Sequence, residues 1–237
     1  MDPTHDAGRA ELALLAKMAQ VTSRRTFFTW AGVGIGVVAA GCSNDTNGPG
    51  DTVEFGTGDT AVLNYAYALE QLEAAFYSQV ARTFYTSVST DEKQILTDIR
   101  DHELAHRDFF KTVLGSSAIG DLEFDFSGVD FTSRTSVLAT AAVFEDLGVA
   151  AYNGAGPLLV SPDSLVAAGS IVSVEARHAA VIRDLITPRS STSFAAKGFA
   201  GDEIVNAQGL DGALAPSQVL VATGRYVTAT INASNLP

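Results

Sequence analysis

The chain has 237 residues, of which 46% are hydrophobic and 18% charged, a composition typical of a globular protein with a sizeable core. Its net charge of −12 at pH 7 would repel a phosphate backbone, which argues against nucleic acid as a partner. The single cysteine, Cys42, excludes an intramolecular disulfide framework and a thiolate metal site within one chain.

Residues 1–42 have the pattern of an export signal. The run Ser23-Arg24-Arg25-Thr26-Phe27-Phe28 places two arginines ahead of a short apolar stretch, Trp30 to Gly41, of about 12 residues, whereas a membrane-spanning helix needs roughly 20. The stretch ends in Ala39-Ala40-Gly41-Cys42, which resembles a bacterial lipoprotein box in which the cysteine carries lipid. We therefore expect an exported, periplasmic or cell-envelope protein, anchored to the membrane through lipid at Cys42. The alternative is a soluble periplasmic protein cleaved at a nearby alanine.

The rest of the chain divides into three predicted parts. Residues 43–58 are predicted to be a flexible linker, because Ser43 to Gly50 is polar, rich in Gly, Pro and Asn, and has nothing to bury. Residues 59–188 are predicted to form the folded domain. Residues 189–237 form a tail rich in Gly, Ser and Ala, with a short helix expected from about Pro216 to Tyr226.

The domain has four predicted helices, and its fold class is predicted to be all-α. Their expected limits are Thr60–Arg82, Thr90–Leu114, Ser133–Asn153 and Pro162–Ile186. The capping signals used to place these limits are Asp59 for helix 1, the pair Ser89 and Glu92 with Gly115 for helix 2, Gly154 for helix 3, and Ser161, Pro162 and Pro188 for helix 4.

The lengths of the connections predict the topology. Helices 1 and 2, and helices 3 and 4, are joined by short links that suit antiparallel neighbours, whereas the link from Gly115 to Thr132 can cross the length of a bundle. Short, long, short is the pattern of a ferritin-like four-helix bundle with one long crossover. The segment Asp121 to Phe126 alternates and could pair as a strand, and we interpret it as a crossover held by its Phe side chains.

Two Glu-x-x-His pairs interrupt the apolar faces of helices 2 and 4. Glu103 and His106 continue the stripe of Ile95, Ile99, Phe110 and Val113, and Glu175 and His178 continue that of Leu165, Ala168, Ile171, Ile182 and Leu185. A buried bare carboxylate costs several kcal/mol, so something must compensate. One such pair could be a core histidine bonded to the glutamate one turn back, but two pairs at matching depth favour a metal site.

Helices 1 and 3 supply a matching half of this pattern. Each has a Glu, a Leu two positions on, an Ala five positions on and a Tyr seven positions on, beginning at Glu70 and at Glu145. The domain is therefore predicted to be a two-fold internal repeat. Glu73 aligns with Gly148, which has no ligating atom, so Glu70 is preferred as a ligand and Glu73 is assigned to the rim, to an outer hydrogen-bonding position or to an alternate ligand.

Charge balance predicts two cations at this site. The predicted metal-binding residues are Glu70, Glu103, His106, Glu145, Glu175 and His178. Four carboxylates and two neutral imidazoles are neutralised by two divalent ions, whereas without metal several carboxylates would have to remain protonated. Tyr77 and Tyr152 lie two turns from the ligands and are the candidate catalytic residues, through hydrogen bonding or one-electron oxidation; the alternative is that both are ordinary core tyrosines.

This set of six residues resembles the ligand set of ferritin-like di-iron and di-manganese carboxylate proteins. The string from Asn64 to Tyr77 is similar to the first helix of bacterial ferritin-like proteins grouped with desiccation-related, stress-response proteins. The resemblance implies two Fe or Mn ions, bridged by Glu103 and Glu175, with Glu70 and Glu145 as terminal ligands. It also implies redox chemistry on peroxide or dioxygen.

The resemblance leaves two other functions open. One is an iron-oxidising or iron-storage module that assembles into homo-oligomers, and the other is a structural, desiccation-protective protein without turnover. The expected partners are thus metal ions, a small oxidant and, through Cys42, a membrane. The chain lacks the cysteine pairs of a rubredoxin-type electron relay.

Overall fold

Four long helices follow one another along the chain in the computed structural model, which describes residues 46–187 and 205–236. They are α1 (Gly58–Thr83), α2 (Thr90–Leu114), α3 (Arg134–Ala155) and α4 (Pro162–Ile186), followed in the tail by α5 (Pro216–Thr223). The prediction of an all-α four-helix bundle with one long crossover and an irregular tail is confirmed. The predicted export signal, Cys42, Pro188 and the first part of the tail lie outside the described residues.

Local capping explains why two helices begin where predicted. At the start of α2, the Ser89 side chain accepts the Glu92 N–H at 3.1 Å, and the Glu92 carboxylate accepts the Ser89 N–H at 3.3 Å. At the start of α4, the Ser161 hydroxyl accepts the Ser164 N–H at 3.3 Å, with Pro162 at the first helical position. These signals lie within four residues of the helix ends and can be detected in the sequence.

The predicted role of Asp59 as the N-cap of helix 1 is wrong. Helix α1 begins earlier, after Thr57, and Asp59 lies in its first turn. Its two carboxylate oxygens accept the N–H groups of Val160 and Ser161, both at 2.8 Å. Asp59 therefore satisfies backbone donors at the start of α4 and joins two helices that are about 100 residues apart in sequence.

Helix α3 extends to Ala155, so the prediction that Gly154 closes it is also wrong. A Cβ atom at Gly154 would lie 1.9 Å from the carbonyl oxygen of Leu214, and the Leu214 N–H donates to the Ala150 carbonyl at 3.0 Å. The glycine is thus required by the close approach of the tail backbone to α3. The tail helix α5 ends at Thr223, three residues before the predicted limit of Tyr226.

The long crossover is held by polar side chains of α1. Buried Asn64 donates to the Ser117 carbonyl at 2.8 Å and accepts the Ile119 N–H at 2.9 Å, and Gln71 accepts the Leu122 N–H at 2.8 Å. The predicted contribution of the Phe residues is present as well, since Phe126 packs against Phe76 with ring centres 5.9 Å apart.

Two short parallel strand pairs join the N-terminal segment to the crossover and to the tail. Strand β1 (Thr46–Asn47) pairs with β3 (Asp121–Leu122) in the crossover, and β2 (Thr52–Glu54) pairs with β4 (Thr230–Asn232) in the tail. Val53 and Phe55 are buried. These strands and the two buried side chains therefore make part of residues 46–58 a folded element, although the sequence predicts a flexible linker there.

One arginine links three helices at one end of the bundle. Arg134, at the start of α3, donates through Nε to Glu92 of α2 at 2.8 Å and through Nη2 to the Leu185 carbonyl of α4 at 2.6 Å. The guanidinium can do this because its several N–H groups point in different directions.

Among the described residues, α4 is the one helix whose length and mean hydropathy of 1.4 would suffice to cross a membrane. Its buried face nevertheless carries Glu175 and His178, which a lone span would leave unpaired in hydrocarbon.

Candidate metal centre

The middle turns of the four long helices bring all six predicted metal-binding residues together. Glu70 comes from α1, Glu145 from α3, and the two Glu-x-x-His pairs from α2 and α4. The four carboxylates are almost fully buried, with at most 1% of each residue exposed. The helical period explains this convergence, because each residue continues the buried face of its own helix.

The six residues form two overlapping groups of four. Glu70, Glu103, His106 and Glu175 offer ligand atoms that all lie within 4.8 Å of one another, and so do Glu103, Glu145, Glu175 and His178. Glu103 and Glu175 belong to both groups, which is the geometry that two bridging carboxylates need. The ligand roles of the individual residues stay a prediction.

Both imidazoles turn Nδ1 towards the carboxylates. His106 Nδ1 lies 3.0 Å from Glu175, and 3.4 Å from both Glu70 and Glu103. His178 Nδ1 lies 2.8 Å from Glu103 and 3.5 Å from Glu145. The arrangement is nearly symmetric, because each histidine is closest to the glutamate of the other Glu-x-x-His pair.

The donor atoms of this cluster fit a pair of cations. Within the described part of the chain, eight of its buried atoms have no partner with hydrogen-bond geometry. They are Glu70 Oε2, both Oε atoms of Glu103 and of Glu175, Glu145 Oε2, and Nδ1 of His106 and of His178. Buried polar atoms are nearly always satisfied in folded proteins, and these atoms are the oxygen and nitrogen donors that hard or intermediate metal ions take.

In the metal-free cluster, bound protons balance part of the negative charge of the carboxylates. Burial raises the pKa of Glu70 to about 7, an effect that the adjacent His106 only partly offsets. Burial also acts to raise the pKa of Glu103, but the nearby His106 and His178 outweigh it and lower the pKa to about 2. For His178 burial acts to lower the pKa, yet Glu103 and Glu145 raise it to about 11. Any metal ion that binds here would therefore displace protons from the cluster.

The two candidate tyrosines bond to carboxylates across the repeat. The buried Tyr77 hydroxyl of α1 donates a short hydrogen bond to Glu145 of α3, and the Tyr152 hydroxyl of α3 donates one to Glu70 of α1. Burial, reinforced by the facing carboxylate, raises the pKa of both phenols well above the usual value. Both tyrosines thus remain protonated donors that fix one oxygen of each predicted terminal ligand.

Glu73 lies inside the bundle and not at the rim of the site. It is buried, and a Cβ atom on Gly148 would lie 3.2 Å from Glu73 Oε1 and 3.3 Å from Glu175 Oε2. Burial, and then the charge of Glu175, raise the pKa of Glu73 well above the usual value. The missing side chain at Gly148 therefore provides the space in which a fifth carboxylate is accommodated.

His102 lies beside the cluster and is not among the residues predicted from the sequence. Its Nδ1 lies 2.9 Å from Nε2 of His178, and its outer edge is exposed. Burial, followed by the charge of His178, lowers the pKa of His102. The repeat gave no signal for it, because Val174 occupies the equivalent position one residue before Glu175.

Comparison with known proteins agrees with this fold and this cluster. No curated protein matches the chain in sequence. The family profile described as "Ferritin-like domain" matches residues 58–188, which is more than half of the chain and contains all six predicted metal-binding residues. The chain therefore belongs to the ferritin-like family.

Proposed function

We propose that this protein is an exported di-metal carboxylate protein that binds two Fe or Mn ions and carries out redox chemistry on dioxygen or peroxide. The observation that carries the proposal is the convergence, in the middle of the bundle, of eight buried oxygen and nitrogen atoms that have no partner in hydrogen-bond geometry within the described part of the chain. Burying four carboxylates opposes folding, and the two histidines offset this cost only in part, so a pair of cations would stabilise the cluster further.

The chemistry of the donors supports Fe or Mn. Carboxylate and imidazole ligands suit these ions better than they suit Cu(I), and the commoner four-coordinate Zn sites use fewer ligands than this cluster offers. Each group of four donors supplies one imidazole and three carboxylates, of which two are shared. Four carboxylates and two neutral imidazoles balance two divalent ions in charge.

The protein side chains have distinct roles in this proposal. Glu70 and His106 would hold one ion, Glu145 and His178 the other, and Glu103 and Glu175 would lie between them. A bound Fe or Mn pair supplies reversible one-electron steps to a small oxidant. Tyr77 and Tyr152 orient the two terminal carboxylates by donating hydrogen bonds, and they are the nearest phenols from which an electron and a proton could be taken.

A small apolar pocket supports dioxygen as the oxidant. The pocket has a volume of about 20 Å³ and is lined by residues of α1, α2, α3 and α4, including Leu69, Phe110 and Tyr152. Two of its lining residues are close to Glu70, since Leu69 precedes Glu70 in the chain and the Tyr152 hydroxyl donates a hydrogen bond to it. An apolar cavity of this size favours a small apolar gas over water or hydrogen peroxide.

The location of the protein is proposed from its first 42 residues. Two adjacent arginines, a short apolar stretch and Cys42 support export followed by attachment to a membrane through lipid. Fractionation of cells that express the full chain tests this proposal. Replacing Arg24 and Arg25 by Lys should retain the protein in the cytoplasm, and Cys42→Ser should move it from the membrane to the soluble envelope fraction.

Metal analysis of protein folded in the cytoplasm tests the central proposal. We expect about two Fe or Mn ions per chain, and oxygen or peroxide consumption that requires them. Glu103→Ala removes a shared carboxylate and should abolish binding of the pair, whereas Asp163→Ala, at an exposed position in the first turn of α4, is the matched control. Less than half an ion per chain, unchanged by Glu103→Ala, would refute the proposal. Uptake of iron far beyond two ions per chain would instead indicate storage.

A further inference from the structure

His102 and His178 form an edge-to-edge pair of imidazole rings. The ring planes differ by only 9°, the ring centres are 5.2 Å apart, and Nδ1 of His102 lies 2.9 Å from Nε2 of His178. Each ring nitrogen lies only about 1.1 Å from the centre of its own ring, so this centre-to-centre separation is close to the largest that the N–N distance allows. The two rings therefore lie side by side in nearly one plane, as an N–H···N hydrogen bond requires.

The direction of this hydrogen bond follows from the contacts of His178. Its Nδ1 faces Glu103 and Glu145 inside the cluster, so Nδ1 is the nitrogen that would take a metal ion and must carry no proton there. The ring proton is then on Nε2, which donates it to Nδ1 of His102, 2.9 Å away. His102 in turn carries its own proton on Nε2, at the exposed edge of its ring.

The second half of the repeat lacks this acceptor. The position equivalent to His102 is Val174, whose side chain can accept no hydrogen bond, whereas His106 and His178 are themselves equivalent. The two histidines of the cluster therefore differ in what lies behind them, although their contacts with the carboxylates are nearly symmetric.

We propose that His102 is a positioning residue that fixes the tautomer and ring plane of His178, and so makes the metal position beside Glu145 and His178 the tighter of the two. This inference rests on the proposed di-metal function. A hydrogen bond behind a metal-binding histidine orients the ring and increases its basicity, and loss of such a partner typically weakens metal binding about 10- to 100-fold. The two positions should consequently fill in sequence, with the His178 position first.

Titration of the metal-free full chain with Co²⁺, followed by visible absorption and calorimetry, tests the inference. We expect two distinguishable binding steps in the wild type. His102→Val, which copies the residue of the other half, should weaken the tighter step about 10- to 100-fold. His102→Asn should retain most of the affinity, because its amide oxygen can take the place of Nδ1. Val174→Ala is the matched control and should leave both steps unchanged.

The possible failures can be told apart. A wild-type chain that binds fewer than two Co²⁺ ions would overturn the di-metal proposal and the inference with it. A wild type that binds two ions, with His102→Val titrating identically, would overturn the inference alone. His102→Asn as weak as His102→Val would also overturn it, because an acceptor would then not be what matters. In the Zn²⁺-loaded wild type, the Nε2–H resonance of His178 should exchange slowly with water, and rapid exchange would likewise contradict the hydrogen bond.

Discussion

Replacing Gly148 by Ala should separate the stability of the bundle from its capacity to bind metal. In the interior of a helix, Ala is favoured over Gly by about 1 kcal/mol. The added Cβ atom would lie 3.2 Å from Glu73 Oε1 and 3.3 Å from Glu175 Oε2, so both carboxylates must move by a few tenths of an ångström. These are side-chain ends and can move in the metal-free chain. We therefore expect its unfolding free energy to change by about 0 to +1 kcal/mol, or roughly 0 to 4 °C in Tm.

The same displacement of the carboxylates should have a larger effect on metal affinity than on the stability of the metal-free chain. Metal–ligand distances tolerate about 0.2 Å, so displacing Glu175 should weaken binding at least about tenfold, equivalent to roughly 1.4 kcal/mol. The assay is thermal unfolding of the metal-free chain together with Co²⁺ titration. Gly169→Ala is the matched control, since a Cβ atom there would contact nothing within 4 Å, and it should stabilise the chain without changing metal affinity. Unchanged Co²⁺ affinity in Gly148→Ala would refute the placement of Glu175 among the ligands, and a loss of more than about 1 kcal/mol in the metal-free chain would show that the carboxylates cannot move.

Three further changes test other parts of the structure. Gly154→Ala would place a Cβ atom 1.9 Å from the Leu214 carbonyl oxygen, so we expect it to release the tail from α3. The release should appear as faster proteolysis after residue 205 and as a loss of about 1–3 kcal/mol in unfolding free energy. An unchanged digestion pattern would contradict this packing. Arg134→Met should lower the unfolding free energy by about 1 kcal/mol at pH 7. Burial acts to raise the pKa of Glu92, but hydrogen bonds from Arg134 and from the Ser89 backbone lower it below 4.5. The contribution of this ion pair is therefore complete above pH 4.5 and is lost as the pH falls through the folded-state pKa. The difference in denaturant midpoint between wild type and Arg134→Met should therefore narrow below pH 4.5, and a difference that widens on acidification would show the opposite sign. Tyr77→Phe leaves a buried carboxylate oxygen without its donor and should lower the unfolding free energy of the metal-free chain by about 1–3 kcal/mol, whereas a loss below about 0.5 kcal/mol would indicate a packing role only.

The parts of the fold that the sequence predicts correctly are those set by local signals. The starts of α2 and α4 follow from Ser89 and Ser161, whose partners lie three residues away. Asp59 and Gly154 also carry local patterns, those of a helix start and a helix end. Their actual partners, the start of α4 and the tail at Leu214, are distant in sequence, so nothing nearby distinguishes the two situations.

The candidate site shows the same division. Helical spacing and the internal repeat were sufficient to predict that the six metal-binding candidates lie together, because both can be read from the sequence alone. They could not resolve the position of Glu73, which depends on the space above Gly148 in the facing helix. They also could not identify His102, since a comparison of two halves detects what the halves share and overlooks what only one of them has.

The hydrogen bonds of Tyr77 and Tyr152 cross between the α1–α2 hairpin and the α3–α4 hairpin, so each hairpin completes the other. If the bundle were assembled from two separate, identical hairpins, every substitution at the centre would appear twice, once on each side of the symmetry axis. A glutamate at position 73 would then face a second glutamate where Gly148 now leaves room, and both histidines would have the same residue behind them. Joining the hairpins in one chain removes that restriction, and it is what allows one side of the centre to be adjusted while the other is left as it is.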